Sequence, residues 1–112
     1  MSDQLAAAVV RFRGEHPACL DPELIYDRCQ EVSAAFAALL ADVGVAASVV
    51  SGMQFDVQPD GRILIHRGHF AVQVGQDVYD WTARQFAPGA PVPQVMPLPR
   101  WRETWKPLPA AR

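Results

Sequence analysis

The stretch from Gly68 to Thr82, GHFAVQVGQDVYDWT, alternates apolar and polar residues on both sides of a Gly75-Gln76 pair. Alternation of this kind has the period of a strand, and a two-residue turn with Gly first is a type II′ hairpin connection. The pattern predicts Val74 opposite Asp77, Val72 opposite Tyr79, Ala71 opposite Asp80 and His69 opposite Thr82. One face of the ribbon is then Phe70, Val72, Val74, Tyr79 and Trp81, a core face. The other face carries His69, Ala71, Gln73, Val78, Asp80 and Thr82. On it, His69 and Asp80 are diagonal neighbours within reach of a hydrogen bond. A three-residue loop would reverse the parity and separate them.

A second element constrains what lies beside that hairpin. In YDRCQEVSAAFAALLADVG, Val32, Phe36, Leu39, Leu40 and Val43 recur at helical spacing, and Gly44 ends the pattern. Asp27 and Gln30 stand three apart, the spacing of a capping box, which would make Asp27 the N-cap and place Cys29 at the second helical position. Free N–H groups and the positive end of the helix dipole favour a thiolate there, and the same amides could hold an oxyanion. Cys29 also continues the apolar face, so a plain core cysteine is the competing reading.

The rest of the chain supplies helices before this point and strands after it. Residues 3 to 13 form a helix with Leu5, Val9 and Phe12 on one stripe, and Asp21-Pro22 opens a short second one. VAASVVSGMQF reads as a strand, DVQPDG as a turn, and RILIH as a short strand ahead of the hairpin. Thr82 with Gln85 opens a helical turn. Seven of the ten prolines lie in the last 25 residues, an extended or irregular tail except for RWRETWK, where Trp101 and Trp105 share a helical face. Helices followed by antiparallel strands make an α+β domain. At 112 residues the chain closes one core, from about residue 21 to 87, with 88–112 folding back over the sheet. The initiating Met is consistent with a whole protein.

Composition excludes several classes of function. Half of the residues are apolar and the net charge is −2, without a Lys/Arg cluster, so no nucleic-acid partner is expected. No apolar run spans a bilayer, and the acidic N-terminus is not a cleaved signal, which implies a cytoplasmic protein or one delivered by a signal-independent route. Two cysteines, Cys19 and Cys29, make no disulfide framework. His66 and His69 with Cys19 and His16 lack zinc-ligand spacing, so neither metal nor cofactor is expected. Asp56 and Asp60 are turn formers. Trp101 and Trp105, with Leu98 and Leu108, either cover the sheet or anchor a partner.

A thiol at a helix start, followed by an imidazole and a carboxylate paired on a hairpin, is the constellation of nucleophilic thiol catalysis. The segments C..VSAAFAALLADVGVAASVVSG, GHFAVQV and VYDWTARQF resemble the core of the papain-like and transglutaminase-like cysteine enzymes, most closely in pattern the small papain-fold domains of bacterial toxins and effectors, glutamine deamidases among them. The resemblance covers roughly residues 26 to 86. It implies a Cys-bearing helix on a small antiparallel sheet, with Cys29 the nucleophile, His69 the general base and Asp80 the orienting acid. The implied chemistry is amide hydrolysis, glutamine deamidation or acyl transfer through an acyl-enzyme, on a protein or peptide as readily as on a small molecule. Gln30 stands where transglutaminases carry an aromatic residue, and DPELIYDR has no upstream glutamine for an oxyanion hole. Gln30, Gln73 and Gln85 are the remaining side-chain candidates for that role. The alternative is a non-catalytic binding module of the same fold.

Overall fold

The computed structural model describes residues 2–108. Its element order is α1 (Asp3–Glu15), a 3-10 turn (Pro17–Leu20), α2 (Cys29–Asp42), β1 (Ser48–Val57), β2 (Ile63–Val74), β3 (Asp77–Asp80), a 3-10 turn (Ala83–Gln85), β4 (Gln94–Pro97) and α3 (Leu98–Thr104). The strands form one antiparallel sheet in the order β1-β2-β3-β4. Helices pack against this small sheet, an α+β arrangement. Among the described residues no helix is long and apolar enough to cross a membrane.

Two helix ends have a local cause. Ser2 caps α1 by accepting from the Leu5 amide at 3.2 Å. At the end of α2, Val45 N–H bonds Leu40 C=O and Gly44 N–H bonds Ala41 C=O, with Gly44 at φ +78°, the paired bonds of a Schellman motif. Between the first two helices no helix forms after Asp21-Pro22. Asp21 Oδ1 instead accepts from Glu23 and Leu24 amides, so the local bonds close a turn rather than propagate.

The sheet has a core on each face. On one, α1 and α2 bring Leu5, Phe12, Phe36 and Leu40 against Val72, Tyr79 and Trp81. Phe12 and Phe36 both contact Trp81, with ring centroids 4.7 and 5.0 Å away. Aromatic contacts of this kind add about 0.5–1.5 kcal/mol beyond burial and fix the Trp81 rotamer next to Asp80. On the other face, Ala71 and Val78 pack with Trp101 and Trp105, both almost fully buried. Alternation along β2 and β3 thus separates the two cores as the pattern requires.

Three differences from the sequence expectations concern the strands. RILIH and the hairpin's first strand are one continuous β2, with a register shift at Gln54/Phe55 that leaves His66 as the extra residue. The β2–β3 ladder matches the predicted register at Val74–Asp77 and Val72–Tyr79 but stops there, so Ala71–Asp80 and His69–Thr82 do not pair. Asp80 pairs with Gln94 of β4 instead. The proline-rich tail is therefore not wholly irregular: residues 94–97 complete the sheet as an edge strand, where proline is tolerated.

Candidate active site

The structure brings Cys29, His69 and Asp80 together. His69 Nε2 and Asp80 Oδ2 are 2.7 Å apart, with both side chains buried. Asp80 Oδ1 accepts from the Thr82 amide at 3.1 Å, so the chain immediately after β3 holds the carboxylate in place. The other imidazole nitrogen, Nδ1, is buried and makes no bond of strict geometry among the described residues. The Cys29 thiol lies against this ring closely enough to shift its titration. We read the contact as present but loose, as catalytic hydrogen bonds often are without substrate.

Cys29 reaches this position by a different route from the one the spacing predicts. Asp27 does not cap α2: it sits at φ 60°, and Arg28 is the N-cap, with no side-chain bond to the first turn. Cys29 is consequently the first residue of the helix. The capping box fails because Gln85 Oε1 takes the Asp27 amide at 3.2 Å, while Gln85 Nε2 donates to Thr82 Oγ1 at 2.9 Å. Gln85 thus ties the turn before the thiol to the turn after the carboxylate. Both ends of its amide are engaged, which holds the side chain in this bridge. Gln73 is likewise used, donating to the Gly75 carbonyl. Gln30 is exposed and has no side-chain bond among the described residues. The uncapped first-turn amides of α2 are the remaining donors, and they need no glutamine.

The sheet face that carries Ala71 is occupied by the tryptophans. The His69 ring is packed by Trp105, Phe86 and Trp101, with centroids 4.7, 5.0 and 6.2 Å away. Cys29 instead approaches at the β2 edge beyond the β3 ladder, where the Phe70 amide points at it. Trp105 can lie on His69 because the residue across the ladder is Gly52. A Cβ at Gly52 would stand 2.6 Å from Trp105 Cβ. Two bonds between Met53 and Lys106 backbones clamp this close approach. Gly52, Trp105 and Gln85 contribute to the site without having been singled out for these roles. Only the tryptophan spacing and the Thr82–Gln85 pair gave any sequence signal.

Electrostatics separate the two cysteines. Burial alone would push the Cys29 thiol up, but the His69 imidazole, the Phe70 amide and the imidazolium charge together hold it below its ordinary value, against a smaller opposing effect of Asp80. For His69, burial would lower the pKa, and the hydrogen bonds it donates to Asp80 and Cys29 override it, raising it to about 9. Both shifts favour a thiolate–imidazolium pair. Cys19 is fully buried and burial raises its pKa to about 11, with only weak relief from Arg28. The two thiols are free.

A cleft of about 400 Å³ runs between Tyr26 and Asp27, His66 to Gly68, and Gln85 and Phe86. These segments neighbour Cys29, His69 and Thr82 along the chain, though Cys29 and His69 are not in its lining. His66 bonds Asp56 at 2.7 Å, and among the described residues no group of three or more His, Cys, Asp or Glu is arranged to hold a metal ion. Comparison with protein-family models, curated proteins and solved structures finds no match. Function therefore has to be argued from this geometry.

Proposed function

We propose that this protein is a thiol-dependent amide hydrolase, deamidase or acyltransferase with a papain-like Cys29–His69–Asp80 triad. The observation that carries the proposal is a half-exposed, acidified thiol beside a buried imidazole–carboxylate pair. A binding module could bury the thiol and would have no reason to acidify it. In the reaction, the Cys29 thiolate adds to a carbonyl and the oxyanion forms at the free amides of α2. The His69 imidazolium then gives its proton to the leaving amine as the C–N bond breaks. Water or an amine, deprotonated by the now neutral imidazole, releases the acyl group from the thioester. Asp80 holds the tautomer and balances the imidazolium. Free thiols fit a reducing compartment, the cytoplasm.

An extended peptide is the substrate form that the cleft accommodates. Facing residues of an antiparallel pair turn their N–H and C=O either towards each other or both away from each other. Met53 bonds outward to Lys106, so its partner Gly68 also directs N–H and C=O away from β1, towards the cleft. Phe70, two residues on, points its amide at Cys29 in the same direction. Among the described residues no strand pairs with this edge of β2 before Val72. A substrate strand adding at Gly68 would gain two backbone bonds adjacent to the thiol.

The test uses Gly68→Pro, which removes an outward N–H that takes no part in the β1 ladder. The substrates are p-nitrophenyl acetate and a randomised peptide library with a fixed central Gln, with cleavage and deamidation read by mass. We expect Gly68→Pro to turn over the ester within about twofold of wild type and to lose at least about tenfold in peptide turnover. Equal peptide turnover in the two proteins would rule out strand addition at Gly68. A wild-type protein inert towards both substrates would count against the thiol-enzyme reading itself.

A further inference from the structure

A second cavity, of about 410 Å³, opens at the far end of the triad, between the sheet and α3. Its volume is in the range of small-molecule sites. Asp80 is in its wall, but both oxygens of that carboxylate are already bonded, to His69 and to the Thr82 amide. The rest of the lining carries cationic groups. Arg67 and Arg100 both line the cavity, and among the described residues neither guanidinium has a carboxylate partner. Glu103 is the other acidic residue in the lining, and Trp101 contributes to the wall.

We propose that this cavity is a binding site for a small aromatic or apolar carboxylate. The anionic end would be held by Arg67 and Arg100, and the body would rest against the Phe86 ring. A neutral ligand would leave the guanidiniums unpaired. Arg67 lies over the Phe86 ring, 5.3 Å from its centroid, and these two residues also line the first cleft. They are a shared wall, so an occupant of the second cavity lies next to the peptide cleft without entering it. The site does not depend on Cys29 being a nucleophile.

Benzoate and its neutral isostere benzamide are suitable probes, with the Trp101 indole N–H resonance and tryptophan fluorescence as readouts on the full chain. Benzoate should shift that resonance saturably at millimolar concentration, with benzamide at least about tenfold weaker. Arg100→Gln, an exposed change on α3 outside the triad and its cleft, should weaken benzoate by about tenfold and leave p-nitrophenyl acetate turnover within about twofold. Equal affinity for the two probes, an unchanged affinity in Arg100→Gln, or no shift of the Trp101 resonance at tens of millimolar benzoate would each overturn the assignment.

Discussion

Replacing Cys29 by Ala is expected to reduce acyl-transfer turnover by at least about 10³-fold while changing the unfolding free energy by no more than about 1 kcal/mol. The large effect follows from its position. Cys29 is the first residue of α2, and its thiol is the group that the buried His69 and the Phe70 amide both stabilise as an anion. No other thiol can substitute, since Cys19 is fully buried within the first core and its pKa is pushed to about 11. The small stability effect follows from its half-exposure: Ala removes one sulfur and leaves the His69–Asp80 pair internally balanced. The check is turnover of p-nitrophenyl acetate and of the peptide library beside a urea unfolding curve. Retained turnover with an unchanged curve would show that the thiol is not the nucleophile.

Gly52→Ala should destabilise the fold by about 1–3 kcal/mol, the usual cost of overpacking. The sign is informative, because exchanging Gly for Ala in an extended segment ordinarily stabilises by roughly 0.4–1 kcal/mol through the unfolded chain. Here the added methyl would meet Trp105 Cβ, C and O at 2.6 to 2.7 Å, and two of those three atoms are backbone. Backbone there is held by the Met53–Lys106 bonds, so relief requires the end of α3 to lift from β1. Trp105 would move with it, loosening the packing on the His69 ring. The variant should therefore also show slower Cys29 alkylation at neutral pH. A Gly52→Ala protein at least as stable as wild type would contradict the close approach.

Much of this arrangement was legible in the sequence because strand parity is a strict constraint. Alternation through Phe70, Val72, Val74, Tyr79 and Trp81, with Gly75 at φ 59°, set the hairpin register and hence which face His69 and Asp80 share. Helical periodicity from Val32 to Leu40 likewise placed Cys29 at the start of α2. The misses come from non-local partners. Asp27 and Gln30 have capping-box spacing, yet Gln85, 58 residues away, takes the amide that sets the turn. Gly68 looked like a break between two strands. In β2 it is an extended residue whose missing side chain faces open space, and nothing local in HRGH separates the two cases. The tail's prolines argued against a strand, but an edge strand needs few donors, and β3 supplied a partner at residues 94–97.

The most direct test of the triad is the pH dependence of iodoacetamide alkylation at Cys29 and Cys19, read by mass spectrometry on wild type and His69→Ala. Alkylation follows the thiolate. The thiol-enzyme account predicts that Cys29 labels with a midpoint below the ordinary value of 9, while Cys19 stays protected until its own pKa of about 11 or until unfolding. In His69→Ala the imidazole's stabilisation is gone while burial and the Phe70 amide remain, so the Cys29 midpoint should move up. A Cys29 that labels no earlier than Cys19, or with the same midpoint in both proteins, would mean that no thiolate–imidazolium pair exists.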